Sequence, residues 1–552
     1  MTLSIIIHNV YVKLKTVAIS ILCFSFILVS FISFAQDPGG SKTINITSSF
    51  KPSLLPPKKM VPVAAPAPTD GKKTVLVYEL PVQLLNFRYI PSALRPLAFS
   101  DTLLRAQDKG YVKAGFGNFA TPFVHAAMRV GDGTQLNGNV EGWYTSSKGK
   151  LPFQQFGNYG IKGQMIYQLD ENHLLQGRGG YSGKQYYRYG YRPDSLIISK
   201  DSLKLNYNDI HLGATLGNRK ANDFGVYYKA ILDGHFFSDN NSGTETSLQF
   251  ELPIEKALNE KINMLVGLQG VVSKLNFNDT SFSNNLIQIK AGADVKLNEE
   301  ITFTAALIPS WNNGNFNLIP LAQIEAFLVD RNLVLQGGIQ GGYVQNTWRS
   351  LAGTNPWIAQ PNQITHSRYT EFFGAAKGNL NEQVSFRIKG GFQKRYNVPL
   401  YINDDNDGRS FLLRWEPSMN ITAGTGELIW QKGDNITWTN SLTVQSFGGL
   451  EQSSKAYGWT PFEFTSSFRG RFFEKLVGKA DLYQFSAPWV RTNGKAERGE
   501  GGLDMNLGAE FEVMPQLKLW LQFNNLFNDR YQRWNQYEVL GFQALGGVIF
   551  TF

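Results

Sequence analysis

The chain has 552 residues, with 53 basic and 44 acidic side chains, a formal net charge of +9, and 42% hydrophobic and 13% aromatic residues. The positive excess is scattered, with no Lys/Arg block and no RNP or zinc-finger pattern, so nucleic acid is not expected as a partner. The one cysteine, Cys23, sits in the N-terminal apolar stretch, so the chain beyond it has no disulfide and no thiolate metal site.

Residues 1–35 read as a signal peptide. Lys13 and Lys15 precede the apolar VAISILCFSFILVSFISFA, Val17 to Ala35, and QDPGG follows, which places cleavage between Ala35 and Gln36. An uncleaved anchor is the alternative, since a stretch of about 19 apolar residues lies near the lower limit for a membrane span. From Gln36 to Lys73 the chain is rich in Pro, Ala, Ser and Lys, as in SSFKPSLLPPKKMVPVAAPAPTDGKK. That composition favours extended, polyproline-like backbone and cannot build a core. Residues 36–109 are therefore expected to form a periplasmic or lumenal arm, with one strand-like piece, TVLVYELPVQLLNF, at Thr74 to Phe87.

From Gly110 to Phe552 segments of alternating apolar and polar residues are separated by turn residues, the period of half-buried strands. In one segment Leu503, Met505, Leu507, Ala509, Phe511 and Val513 face one way, and Asp504, Asn506, Gly508, Glu510 and Glu512 the other. Short turns such as LNEK (258–261), LNEE (297–300), VDRN (329–332), LNEQ (380–383) and KGDN (432–435) alternate with long loops at 145–156, 188–202, 346–367, 401–410, 450–461 and 487–500. Tight turns on one side and long loops on the other is the pattern of an outer-membrane barrel. A propeller or solenoid also repeats short strands, but buries both faces of most of them and carries a fixed-period motif. Strands in a bilayer must close so that no backbone group is left unpaired, with the apolar face outward. The expected fold is all-β, a transmembrane antiparallel β-barrel of about 22 strands spanning 110–552. In the last segment Phe542, Ala544, Val548, Phe550 and Phe552 share a face, so Phe552 is expected on the lipid side of a closing strand that pairs with the first strand near Gly110.

NNLFNDRY (Asn524 to Tyr531), the aromatic loop WNQY and the last strand GGVIFTF resemble the C-terminal end of TonB-dependent receptor barrels. The leader ending in FAQ, with GFGNFATP (115–122) and YTSSKGK (144–150), resembles receptor-like outer-membrane proteins of the Bacteroidota. The resemblance implies a 22-stranded barrel in the outer membrane, a sorting and insertion signal at Phe552, and the barrel-assembly machinery as a partner during insertion. The chain departs from the family in having only the Pro-rich arm where a plug domain is expected, so it resembles a plugless member.

By parity Lys162, Gln164, Arg178, Arg387, Lys389, Arg395, Glu463, Arg469, Arg471, Asp504, Glu510 and Glu512 face the lumen. They form either basic stretches that favour anionic solutes or a ladder of cross-strand charge pairs on a wet wall. The loop residues Trp348, Trp357 and Trp534 are expected to contact a ligand or a partner. Beyond the leader lie only His125, His173, His211, His235 and His366, none at metal-ligand spacing. His211 near Asp209, and His235 near Asp233, are the closest approach to a catalytic pair. No metal, cofactor or enzymatic activity is expected. The functional expectation is uptake or binding of a solute at the outer membrane. The alternative is a structural subunit of an outer-membrane complex that docks a periplasmic, lumenal or surface lipoprotein partner through its arm and loops.

Overall fold

A computed structural model describes residues 109–277, 280–328, 332–492 and 494–552. The expectations for the leader, the arm and a missing plug therefore lie outside the described residues.

The tight turns are closed by short side chains. The Asn259 side-chain oxygen accepts from the N–H groups of Lys261 and Ile262, and Asn298 and Asn381 repeat this contact in their own turns. Asp132 accepts from Thr134, Gln135 and Leu136 in the same way, and these bonds hold its carboxyl below the usual range. Such self-closing turns favour hairpins between sequential strands.

The strands are β1 Gly110–Gly117, β2 Thr121–Gly131, β3 Leu136–Ser147, β4 Phe156–Gln168, β5 His173–Tyr187, β6 Lys204–Asn218, β7 Val226–Asp239, β8 Gly243–Ala257, β9 Ile262–Phe277, β10 Thr280–Lys296 and β11 Ile301–Asn312. They continue as β12 Asn315–Leu328, β13 Leu333–Val344, β14 Ser367–Asn381, β15 Val384–Asn403, β16 Phe411–Lys432, β17 Ile436–Gly448, β18 Phe462–Phe472, β19 Leu476–Phe485, β20 Gly502–Met514, β21 Leu517–Asn524 and β22 Gln543–Thr551. All 22 belong to one antiparallel sheet, each pairing with its sequence neighbour. The sheet closes where β1 pairs with β22, from Tyr111 opposite Thr551 to Gly117 opposite Leu545.

Phe552 is tied in at that seam. Its N–H donates to the Gly110 carbonyl at 3.0 Å, and its own carbonyl accepts from Lys109 and Gly110 at 2.6 and 3.0 Å. Its ring points outward and is half exposed, in line with Phe550 and Val548. Around the sheet the outward positions are large and apolar, among them Ile161, Leu212, Leu307, Phe372, Ile388 and Leu521. A closed sheet with an apolar exterior satisfies its backbone internally and is stable in hydrocarbon. Lys109, Phe552 and the turns at 258–261, 297–300 and 433–435 lie at one rim; the long loops lie at the other, together with the tight connections 118–120, 240–242 and 313–314.

The inner face is not uniformly polar. The set of alternate residues in β6 that carries Asp209 and His211 begins with Leu205 and Tyr207, both buried. In β7 and β9 the equivalent outer-rim positions are Phe237, Leu275 and Phe277. Near the long loops the wall thus turns apolar on its inner side, and something apolar must pack there.

Candidate functional site

The charged inner wall is built from cross-strand pairs. Lys162 meets Glu141 at 2.5 Å, Lys389 meets Glu371 at 2.8 Å, and Arg387 lies 3.6 Å from Glu427. Arg178 makes a two-pronged contact with Asp233, one prong at 2.8 Å, and donates to Thr215 at 3.0 Å. Glu510 lies between two lysines, Lys113 at 3.0 Å and Lys479 at 3.2 Å, in a buried triad beside the closing seam. Glu463 accepts from the Tyr483 hydroxyl and Asp504 from the Tyr531 hydroxyl. Arg395 donates to Gln393 and stacks its guanidinium over the Trp459 ring at 5.3 Å. Arg469 stands opposite Lys479, Arg471 opposite Val477, and Glu512 opposite Lys518. Where the partner lies on the neighbouring strand the two share a face, so positions directly opposite or diagonal meet across the sheet. The partners Glu141, Glu371, Glu427, Lys113 and Lys479 escaped the sequence reading, although parity alone would have put them on the same face; Asp233 was read only as a neighbour of His235.

The histidines pair differently from expectation. His211 contacts Asp233 at 2.8 Å and His235 contacts Asp209 at 3.0 Å, and the two rings stack with centroids 4.4 Å apart. The pairing crosses between β6 and β7: His211 and His235 stand directly opposite each other, and each ring reaches the aspartate diagonal to it on the neighbouring strand. Among the described residues no group of His, Cys, Asp or Glu could hold a metal ion.

At the long-loop rim the apolar inner wall meets its partner, a cap made by the loops. Trp348, Trp357 and Trp534, expected as loop contacts, are 1%, 1% and 2% exposed, so they lie in the core of this cap and not at its surface. Indole rings of that size gain most by burial against other rings. Trp357 stacks on Tyr537 at 3.8 Å and donates its indole N–H to the Tyr187 carbonyl at 2.9 Å. Trp534 packs edge-on against Tyr401 and Phe411. Trp348 donates to Asp239 at 3.0 Å and packs against Phe277. With Leu205, Tyr207, Phe237 and Leu275 from the wall, these rings form one apolar cluster at the long-loop rim.

Polar contacts lock the loops to each other and to the wall. The helix Trp348–Thr354 opens on a reciprocal cap between Thr347 and Ser350, and Glu245 of β8 accepts from the Arg349 N–H at its first turn. Tyr207 donates to the Pro356 carbonyl at 2.7 Å, and Tyr189 to the Glu538 carbonyl at 2.7 Å. Glu416 of β16 is fully buried and accepts from the N–H groups of Glu451, Gln452 and Ser453, which pins the next loop. Asn535 bridges to Asn403 at 3.0 Å, and Arg491 pairs with Asp405 at 3.2 Å. His366 accepts from the Asn346 N–H through Nδ1, and burial lowers its pKa to about 4, so it is neutral in the cap.

Under the cap lies a cavity of about 50 Å³, lined among others by Gln154, Tyr186, Trp357, Asp504, Asn525 and Tyr531. Burial and then the charge of Asp504 push the Tyr531 phenol well above its ordinary range, so it stays protonated and donates to that carboxylate at 2.9 Å.

No family model matches the chain, and no curated protein matches it. Solved structures do. The siderophore receptor PirA of Acinetobacter baumannii is similar at a TM-score of 0.62 and 12% identity, over 82% of this chain and 81% of that one. The FrpB iron transporter of Neisseria meningitidis gives a TM-score of 0.63 at 10% identity, over 81% and 82%. The ferripyoverdine receptor of Pseudomonas aeruginosa, solved with ferripyoverdine bound, gives 0.60 at 12%, over 82% and 72%. At these identities the likeness shows the fold alone, a large closed barrel of the kind found in the outer membrane, and the apolar exterior agrees with a place in that membrane.

Proposed function

We propose that this barrel takes part in uptake or binding of a solute at the outer membrane, as a receptor-type barrel whose outer mouth is closed at rest. The observation that carries the reading is the shared aromatic core of the loops, and a mouth shut by these apolar contacts is what it supports. A barrel of 16 to 18 strands already encloses an aqueous channel, so one of this size needs such a closure or an internal plug. The resemblance of NNLFNDRY to TonB-dependent receptor ends, and the names of the structural neighbours, favour the same reading. The role of residues 36–109 in filling the lumen, and the absence of a plug, belong to this proposal.

A second reading is a non-transporting subunit of an outer-membrane complex. It is favoured by the wall, whose charges are largely matched to one another and leave few inward groups for a passing solute. Conductance in planar bilayers separates the two. The uptake reading expects little current from the intact chain, and current on joint substitution of Trp357 and Tyr537 by Ala in a chain lacking 36–105. A large steady current from the intact chain would contradict the closed mouth. Silence in every variant, together with copurifying outer-membrane proteins that are lost on deletion of 36–105, would favour the scaffold.

A further inference from the structure

Most outward positions of the sheet carry a large apolar side chain, but β13 to β16 have a gap in that cover. Gly337 stands opposite Gly374, Gly374 opposite Gly390, and Gly390 opposite Gly424, so glycines cross these adjacent strands in one row on the lipid side. Glycine usually marks a turn or a place where another backbone comes too close for a side chain. Neither applies at Gly374, Gly390 and Gly424, where an added Cβ would meet nothing within 4 Å. The row leaves a recess of about 560 Å³ on the outside of the wall, lined among others by Ala322, Ile339, Phe372, Gly374 and Gly390.

Towards the long loops the same outward set ends in cations. Gly390, Phe392 and Lys394 follow one another on β15, and Gly374, Phe372, Thr370 and Arg368 on β14, which puts the charges about 13 to 20 Å along the strands from the glycines. Arg368 and Lys394 both lie against the Tyr396 ring, 4.4 and 5.3 Å from its centre, and Arg368 donates to the Asn317 side chain. Among the described residues neither cation has a carboxylate partner, in contrast to the paired charges of the inner wall. Glu451 of the next long loop accepts from Ser418, which stands opposite Tyr396, and pairs with neither.

A cation on the outer face of a barrel, held beside a tyrosine at the loop end of the strands, sits at headgroup depth, where its alkyl stem carries the charge to the interface. The counter-ion available there is a lipid phosphate, which takes Arg and Lys as charge-assisted donors. Bare backbone below lets a hydrocarbon chain approach the wall, and each methylene that fits adds dispersion contact. We propose that the outward face of β13 to β16 binds a phosphorylated lipid of the outer leaflet, with its phosphate between Arg368 and Lys394 and an acyl chain in the recess along the glycines. The site depends on the barrel lying in the membrane and not on what the barrel carries. A lipid without phosphate lacks the counter-charge, and a free phosphate lacks the chain.

The test is native mass spectrometry of the full chain in detergent with dilauroyl phosphatidic acid, dilauroylglycerol and inorganic phosphate. One phosphatidic acid is expected to bind in a saturable step, roughly tenfold tighter than dilauroylglycerol. Arg368→Gln together with Lys394→Gln should bring phosphatidic acid down to the level of dilauroylglycerol. Gly374→Leu together with Gly390→Leu fills the recess, where a Cβ has room, and should weaken both lipids. Lys256→Gln, at an outward lysine of the tight-turn rim, should change nothing. The comparison of the three probes on the unaltered chain stands even where a variant fails to insert, as judged by heat-modifiable migration. Equal binding of the two lipids, or undiminished phosphatidic acid binding by a folded chain lacking both cations, would overturn the site. Displacement of the lipid by about 10 mM inorganic phosphate would reveal a plain anion site and overturn the lipid assignment.

Discussion

A buried imidazole sets the acid limit of the cap. His366 has a folded pKa of about 4 against an ordinary 6.5, because burial disfavours its charged form. The unfolded or opened loop binds the proton more readily, so the cap keeps its full stability above pH 6.5 and loses it as pH falls from there towards 4. The shift corresponds to roughly 3 kcal/mol at most, by the usual 1.36 kcal/mol per unit. Amide exchange of 345–366 should therefore accelerate on acidification through this window, and His366→Gln should flatten the dependence. Glu416 acts at the same scale. Its carboxylate holds three consecutive N–H groups, and bonds to charged groups contribute about 1.5–3 kcal/mol each. Glu416→Ala is expected to release 449–461 to proteolysis while the barrel stays heat-modifiable; a loop as resistant as before would refute the anchor. Neither residue was readable beforehand, because a Glu in a strand and a His in a loop look alike whether they face water or a buried N–H. The tryptophans show the same ambiguity, since an aromatic loop reads equally as ligand surface or as core.

Strands were far more legible than loops. Period-2 alternation fixes which residues share a face, and Phe550, Phe552, Leu503 and Phe511 lie together with the outward set for that reason. What parity does not reveal is how far along a strand the inner face stays wet. Leu205 and Tyr207 belong to the same set as Asp209 and His211, and that change of character within one set was the available sign of the cap. The closing seam tests the element-level account. A Cβ on Gly115 would come within 2.4 Å of the Trp520 ring, which covers β1 and β22 from inside and donates to the Ala114 carbonyl at 3.2 Å. Gly115→Val should cost about 1–3 kcal/mol as overpacking and lower the temperature of the heat-modifiable transition. Beside it, Glu510→Gln would remove the carboxylate that stands between Lys113 and Lys479. Breaking a buried pair costs about 3–5 kcal/mol, so this variant should insert poorly, and restored insertion on adding Lys113→Met would identify charge as the cause.

At the scale of the whole molecule, a closed sheet of 22 strands carries an apolar outside, an inner wall with many cross-strand charge pairs and a shared aromatic core among the loops at one rim. The outside and the closure follow from the bilayer, which admits no unpaired edge. The cap follows from contacts between residues as distant as Trp357 and Tyr537, or Gln154 and Glu538, and nothing local in the sequence brings such pairs together. Hydrogen exchange of the protein in lipid nanodiscs tests the closed mouth most directly. Segments 345–366 and 525–542 should exchange nearly as slowly as the wall strands that hold Leu205 and Phe237; exchange as fast as that of the tight turn at 433–435 would contradict a capped barrel.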